Sequence, residues 1–113
     1  MAHEQTRIEI LRGTLDLLIL RTLGLGPSHG HAIASQIKSL SKDVLQVETG
    51  SLYPALHRLE AQGWIASAWR TSDKGKRAKY YRLTRSGSKH LGAEMSRWEK
   101  LSAAMTRVLR AAK

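Results

Sequence analysis

Apolar residues recur every three or four positions in several separate stretches of the chain, which is the spacing of amphipathic helices. The first stretch runs from Ile8 to Leu23, and its apolar positions cover more than one face. We therefore expect a helix that packs both against its own domain and against a second chain. The sequence Thr6–Glu9 fits a capping box at the start of this helix, and Gly24–Pro27 predicts its end.

A second, shorter helix follows, in which Ile33, Ile37 and Leu40 repeat at helical spacing. We expect about three turns, with Ser28 as the N-terminal cap. The next segment, Val44–Val47, is short and rich in residues that favour strands. It is expected to form a third strand beside a hairpin that lies further along the chain.

The third helical stretch is bounded by a capping residue and a glycine. Thr49 and Ser51 can each cap its start. We favour Ser51, because it places Pro54 in the first turn, where a missing N–H group costs nothing. Gly63 supplies the C-terminal stop.

This third helix has two contrasting faces. At about 100° per residue, Leu52, Leu56 and Leu59 fall within one narrow arc, which must face the core. The opposite arc carries small, polar or basic side chains: Ser51, Pro54, His57, Arg58 and Ala61, with Tyr53 at its flank. These faces suit a DNA recognition helix, but an ordinary amphipathic helix with a solvated face has the same pattern.

A predicted β-hairpin comes next, since residues 65–71 and 78–83 alternate between two faces and are joined by the turn segment 72–77. Trp69 and Tyr81 alternate with polar residues, so we expect both to pack the hairpin onto the core. Seven basic residues stand here against the single acid Asp73: Arg70, Lys74, Lys76, Arg77, Lys79, Arg82 and Arg85. Such cations can neutralise phosphates, although a solvated loop carries them too. A helix followed by a basic hairpin is the order of a winged helix, which favours the DNA-binding interpretation of both.

A long amphipathic helix closes the chain, with Thr84 as its expected cap. Its apolar positions alternate at spacings of four and three: Leu91, Met95, Trp98, Ser102, Met105, Leu109 and Ala112. This seam is typical of a coiled coil. Because so small a domain cannot bury the seam alone, the pattern predicts a homodimer in which the seam meets the first helix of the partner. Packing of the seam back onto its own domain is the alternative.

The predicted fold class is mainly α with a small β-hairpin wing. We expect a winged helix-turn-helix DNA-binding domain over residues 1–85 and a C-terminal dimerisation helix over residues 86–113. A two-fold dimer would present two recognition helices to a palindromic site, with half-sites about one helical turn apart.

Composition agrees with a nucleic-acid partner. The chain has 113 residues and a formal net charge of +10, which points to a polyanion. The absence of cysteine excludes disulfides and thiolate chemistry. The longest aliphatic run, Leu17–Leu20, is too short to cross a bilayer, and no secretory signal is visible, so we expect a cytoplasmic protein without a membrane partner.

Catalytic and metal-binding interpretations find little in the sequence. His29 and His31 lack a carboxylate or cysteine at ligand spacing, so helix capping explains their segment better than a metal site. The acids are scattered singly, and no Ser, His and Asp grouping or glycine-rich phosphate loop is present. We therefore expect neither an enzyme nor a cofactor.

Five blocks of sequence carry a resemblance to a known family: residues 11–20, 26–30, 48–60, 63–65 and 79–84. In order and spacing they resemble the PadR family of bacterial transcriptional regulators, in the subgroup with a short C-terminal region. The resemblance implies a winged-helix domain, a C-terminal dimerisation helix, repression by operator binding and, often, release by a small molecule. It also implies that Tyr53 touches the DNA backbone. His31 and Ala32 depart from the family pattern, which often has an aromatic residue followed by an acid there.

The residues expected to bind DNA lie on the third helix and the wing: Thr49, Ser51, Tyr53, His57, Arg58, Lys74, Lys76, Arg77 and Lys79. The residues expected at the dimer interface are Leu91, Met95, Trp98, Met105 and Leu109. Trp98 has two interpretations, packing in the seam or stacking on a small flat effector as in multidrug-binding relatives. The alternative function is a basic RNA-binding or ribosome-associated winged-helix protein, which exposed aromatic side chains would favour.

Overall fold

A computed structural model describes residues 12–112 of the chain. In chain order, its elements are α1 (Arg12–Gly24), β1 (Ser28–His29), α2 (Gly30–Leu40), α3 (Thr49–Ala61), β2 (Ile65–Thr71), β3 (Arg77–Leu83) and α4 (Arg85–Leu109). This arrangement confirms the predicted helices and the hairpin. The capping box predicted at Thr6–Glu9 lies outside the described residues.

The hydrophobic core is built around α1, which contacts the other three helices and β3. From α1 it takes Leu15, Ile19, Leu20 and Leu23. The other helices and the sheet complete it with Ile33, Ile37, Leu52, Ala55, Leu56, Leu59, Ile65, Tyr81 and Leu91. The core face predicted for α3 is therefore confirmed. On α2 the stripe ends early, because Leu40 in the last turn is 66% exposed.

The third strand of the sheet is not the one expected. The three strands are antiparallel in the order β1-β3-β2, and β1 pairs Ser28 with Tyr81. The prediction that Val44–Val47 would join the hairpin is wrong. Lys42 and Asp43 turn the chain with φ angles of 54° and 66°, and the segment after them packs Leu45 and Val47 against the core instead.

Two predicted helix caps are also wrong. Ser28 is buried in β1, where its hydroxyl accepts a hydrogen bond from Gln36, and His29 caps α2 by accepting from the Ala32 backbone N–H through Nδ1 at 3.1 Å. On α3 the N-cap is Glu48, whose carbonyl accepts from the Leu52 N–H, so Ser51 lies inside the helix. Pro54 accordingly falls in the second turn.

The expected stop at Gly63 is confirmed. Its φ of +79° is the left-handed conformation that glycine adopts without strain. The Gly63 N–H donates to the Glu60 carbonyl and the Trp64 N–H to the Leu59 carbonyl, which is the Schellman pattern. The chain then turns directly into β2.

The closing helix α4 starts as predicted, since the Thr84 hydroxyl accepts from the Gly87 N–H at 3.0 Å. Its seam divides into two parts. Leu91 is buried and Met95 packs against the core, so packing of the seam onto its own domain holds for these two residues. From Trp98 onward the apolar side chains are exposed in the single chain: Trp98, Leu101, Met105, Val108 and Leu109.

Candidate nucleic-acid interface

Helix α3 is held with one face in the core and the other in solvent. Leu52, Leu56 and Leu59 are each no more than 2% exposed. On the outer side, the side chains are exposed at Thr49, Ser51, Tyr53, Pro54, His57 and Ala61. Glu48 makes no side-chain cap, so the first turn of the helix is free of a competing carboxylate hydrogen bond. Small and polar groups therefore stand on a surface that can approach a groove of DNA.

Arg58 does not share that outer surface. Its Nη2 donates to Asp16 Oδ1 of α1 at 2.7 Å, and the two side chains are only 28% and 25% exposed. Its Nε is buried and has no hydrogen-bond partner among the described residues. The sequence placed Arg58 on the arc opposite the core, but its long side chain turns back to an acid that helical periodicity could not reveal.

Tyr53 projects from the flank of α3 over the start of α2. A Cβ placed on Gly30 would lie 2.8 Å from the Tyr53 hydroxyl and 2.9 Å from its Cε1, so the ring rests where only a glycine leaves room. The side chain remains 47% exposed. Gly30 therefore leaves the space that the Tyr53 ring occupies, and the phenol is still accessible to a ligand.

The tip of the wing is a tight turn that displays cations. The Ser72 N–H donates to the Lys76 carbonyl at 2.7 Å, and Gly75 has a φ of +78°. Lys74, Lys76 and Arg77 are all exposed, and Asp73, directly before Lys74, is the acid in this turn. None of these side chains belongs to the core, so their charge is available to an anionic partner.

The expectation that Trp69 packs the wing onto the core is wrong, because this residue is 60% exposed. Its cross-strand partner in the register is Lys79, and the Arg77 guanidinium lies over its ring at 5.4 Å. Tyr81 lies on the same face of the sheet, two residues further from the hairpin tip, and it is 6% exposed and does pack inward. The wing thus presents an aromatic face together with its cations.

Glu60 ties α3 to both strands of the wing. It accepts a hydrogen bond from the Ser67 hydroxyl on β2, and the Lys79 Nζ on β3 lies 3.8 Å away. Lys79 therefore has a structural partner in Glu60, while its side chain is still 39% exposed and can also contact DNA. Burial, and then the charge of Glu60, raises the pKa of Tyr81, which keeps that phenol neutral beneath the basic surface. The roles of Glu60 and Asp16 were not predicted from the sequence. The signal that could have indicated them is that each is a single acid in a strongly basic chain.

An open groove joins the two candidate DNA-binding elements. It has a volume of about 460 Å³ and lies between the start of α2, α3 and the wing. Its lining includes His31, Tyr53, Trp69 and Lys79. The structure therefore brings the flank of α3 and the base of the wing onto one continuous surface, whereas Arg58 points elsewhere.

A second groove, of about 300 Å³, lies between α1 and α4. Gly13, Thr14 and Leu17 line it from α1, and Trp98 and Leu101 line it from α4. Trp98 is 48% exposed, so its ring is accessible in the single chain. This groove lies beside the exposed part of the seam, which begins at Trp98.

Within residues 12–112, no group of three or more His, Asp or Glu side chains is arranged to hold a metal ion. In the same part of the chain, no helix is both long enough and apolar enough to span a bilayer.

Comparison with known proteins identifies a family. Residues 19–93 match the sequence model of the transcriptional regulator PadR-like family. A transcriptional regulator of Mycobacterium tuberculosis is 34% identical over 94 residues, which cover 83% of this chain and 84% of that protein. An uncharacterized protein of Lysinibacillus sphaericus is 30% identical over 92 residues, covering 81% of this chain and 84% of that one.

Solved structures share the fold. A PadR family transcriptional regulator from Eggerthella lenta is 36% identical with a TM-score of 0.73, over 89% of this chain and 86% of that chain. A PadR family transcription regulator from Clostridium difficile is 31% identical with a TM-score of 0.74, over 84% and 97%. The protein smu.1704 from Streptococcus mutans is 27% identical with a TM-score of 0.81, over 92% and 93%.

Proposed function

This chain belongs to the PadR-like family of transcriptional regulators, and from that premise we propose that it is a dimeric repressor of a palindromic operator in double-stranded DNA. The family consists of regulators and not enzymes, so the expectation that the chain has no catalytic role is confirmed. Beyond the family assignment, the proposal names double-stranded DNA as the partner, a two-fold dimer as the active form, and repression as the effect on transcription.

One observation carries the proposal. The flank of α3 and the base of the wing share one open groove, which is lined by Tyr53 of α3 and by Trp69 and Lys79 of the wing. A helix in the major groove reads base edges, and cations beside it neutralise the flanking phosphates. We assign base contacts to Ser51 and His57, and phosphate contacts to Tyr53 and the first turn at Thr49. The wing tip supplies the remaining phosphate contacts.

The proposed dimer rests on the second half of α4. Trp98, Leu101, Met105, Val108 and Leu109 are all at least 48% exposed, and at 100° per residue they share one stripe of the helix. An apolar stripe of this length is stabilised when a second copy covers it. If a small apolar or aromatic effector releases the repressor, the groove beside Trp98 is where it would bind.

Replacing Met105 with glutamate is expected to convert dimers to monomers in sedimentation velocity. Met105 is 52% exposed in the single chain, so the substitution leaves the folded domain intact but places a charge in the proposed seam. Ala103→Glu is the matched control, because it adds the same charge on the opposite side of the same helix. Dimers that persist in Met105→Glu would put the interface elsewhere.

Replacing Gly30 with alanine is expected to weaken binding to all DNA sequences by about tenfold, the loss of one hydrogen bond to a charged group. The added Cβ overlaps the ring of Tyr53 and displaces its hydroxyl from the proposed phosphate contact. Tyr53→Phe should produce a similar loss without moving the ring. Fluorescence anisotropy with operator and random duplexes measures both, and unchanged affinity in the two variants would remove Tyr53 from the interface.

Selection of bound fragments from random duplex DNA, with single-stranded RNA as competitor, tests the function itself. We expect one palindromic duplex sequence to be enriched at every RNA concentration. The exposed Trp69 favours the RNA-binding alternative, because an accessible indole can stack on an unpaired base. RNA that displaces the enriched duplex would overturn the repressor proposal.

A further inference from the structure

We propose that Arg58 is a positioning residue that orients the recognition helix through Asp16, and that it does not itself read DNA bases. The inference rests on the proposed function, since it assigns a role in DNA recognition. It starts from the ion pair between Arg58 Nη2 and Asp16 Oδ1, which are 2.7 Å apart although the residues lie 42 positions apart in the chain.

The pair is placed where it constrains α3. Asp16 stands on α1 next to Leu15, which is 3% exposed, and Arg58 stands on α3 next to Leu59, which is 1% exposed. Both ends of the bond are therefore anchored by core residues on their own helices. Both leucines belong to the same core, which fixes how deeply α3 is buried, while the partly exposed ion pair limits rotation of α3 about its axis.

Small rotations matter for base recognition. Side-chain tips lie about 5 to 6 Å from a helix axis, so a rotation of about 15° moves them by about 1.5 Å. That displacement is about half the length of a hydrogen bond. Ser51 and His57, on the exposed face of α3, would lose their alignment with base edges while the helix stayed folded.

Arg58 is poorly placed for direct readout. Its Nε is already buried and its side chain is 28% exposed. To reach a base edge it would have to leave Asp16 and leave that carboxylate without its partner in a partly buried site, which is costly. The same bond also sets the orientation of the recognition helix relative to α1, and α1 in turn packs against α4.

The test is a double-mutant cycle with Asp16→Ala, Arg58→Met and the double variant. Both replacements are good helix formers, and Met retains the apolar stem of Arg58. We measure affinity for the selected operator and for random duplex over a series of salt concentrations. Each single variant should lower operator-over-random discrimination by about tenfold, the amount that one well-placed base contact supplies. The double variant should lose no more than either single one, and the salt slope should stay unchanged.

Glu99→Ala is the matched control, because it removes the same charge as Asp16→Ala from an exposed position on α4. It should leave discrimination unchanged. Arg58→Lys and Asp16→Glu, which keep both charges, should retain most of the discrimination and provide folded variants if the harsher replacements unfold.

Several results would overturn the inference. If Arg58 contacts DNA directly, Arg58→Met lowers discrimination or the salt slope while Asp16→Ala does not, or even tightens binding by freeing the guanidinium. A role in stability alone gives lower melting temperatures with unchanged discrimination. A wild-type protein that prefers no duplex sequence overturns the proposed function and this inference together, whereas a wild-type preference with unequal variants overturns this inference alone.

Discussion

Replacing Gly87 with alanine is expected to lower the free energy of unfolding by about 3 kcal/mol or more, the upper range for overpacking a tight contact. A Cβ at this position would overlap the carbonyl oxygen of Trp64 and lie 2.7 Å from its carbonyl carbon. The obstacle is backbone, which cannot rotate away as a side chain does. The first turn of α4 would have to move off the corner between α3 and β2.

That corner is bound to α4 by several hydrogen bonds. The Thr84 N–H donates to the Trp64 carbonyl at 3.0 Å, and the Thr84 and Ser86 hydroxyls donate to the Gly63 carbonyl at 2.7 and 3.0 Å. Thr84 also caps the helix through the Gly87 N–H. A shift large enough to admit the methyl group breaks this set together, which is why we expect a loss well above that of an ordinary surface substitution.

Urea denaturation followed by circular dichroism measures the effect, with Gly92→Ala as the control on the same helix. A Cβ at Gly92 meets nothing within 4 Å, so that variant should gain about 0.5 to 1 kcal/mol from helix propensity. Equal stabilities for the two alanine variants would contradict the prediction, because they would show that the backbone between α3 and β2 can move to make room for the added methyl group.

Helical periodicity predicted the core of this protein because burial follows the local geometry of each element. Leu52, Leu56 and Leu59 lie on one arc in any α-helix, so the sequence alone shows which face of α3 must be buried, although distant residues cover it. The stop at Gly63 was equally local, since it required only a left-handed residue after the last turn. Such features are encoded within a few positions of where they occur.

Several of the errors have a different origin, which is competition from residues far along the chain. Ser28 was a good cap by composition, but pairing of its strand with Tyr81 took it into the sheet and left His29 to cap α2. Arg58 lies on the outward arc by angle but pairs with Asp16. Trp69 shares a sheet face with the buried Tyr81 but lies nearer the hairpin tip, beyond the reach of the core, and is 60% exposed. A single sequence shows which side chains are able to form ion pairs or strand pairs, but it does not show which of them come into contact in the fold.

Replacing Lys74, Lys76 and Arg77 together with alanine is expected to weaken binding to operator and random duplex alike, by on the order of a hundredfold per protomer at 0.15 M salt. The three side chains are exposed at the wing tip, outside the core. Each phosphate contact releases about 0.9 counterion, so the slope of log affinity against log salt should flatten by about 2.7 per protomer. Because phosphate contacts carry no sequence information, operator-over-random discrimination should be nearly unchanged.

The matched control is the replacement of Lys89, Lys100 and Arg107 with alanine. These residues are exposed on α4 and, at 100° per residue, lie on the side opposite its seam. The change in net charge is identical, so the control isolates the position of the cations from the overall charge of +10. An equal loss of affinity in both triple variants would assign DNA binding to the general field of the protein. A loss confined to the wing variant, with a flattened salt slope, would place the phosphate contacts beside α3, where they can hold the recognition helix in register.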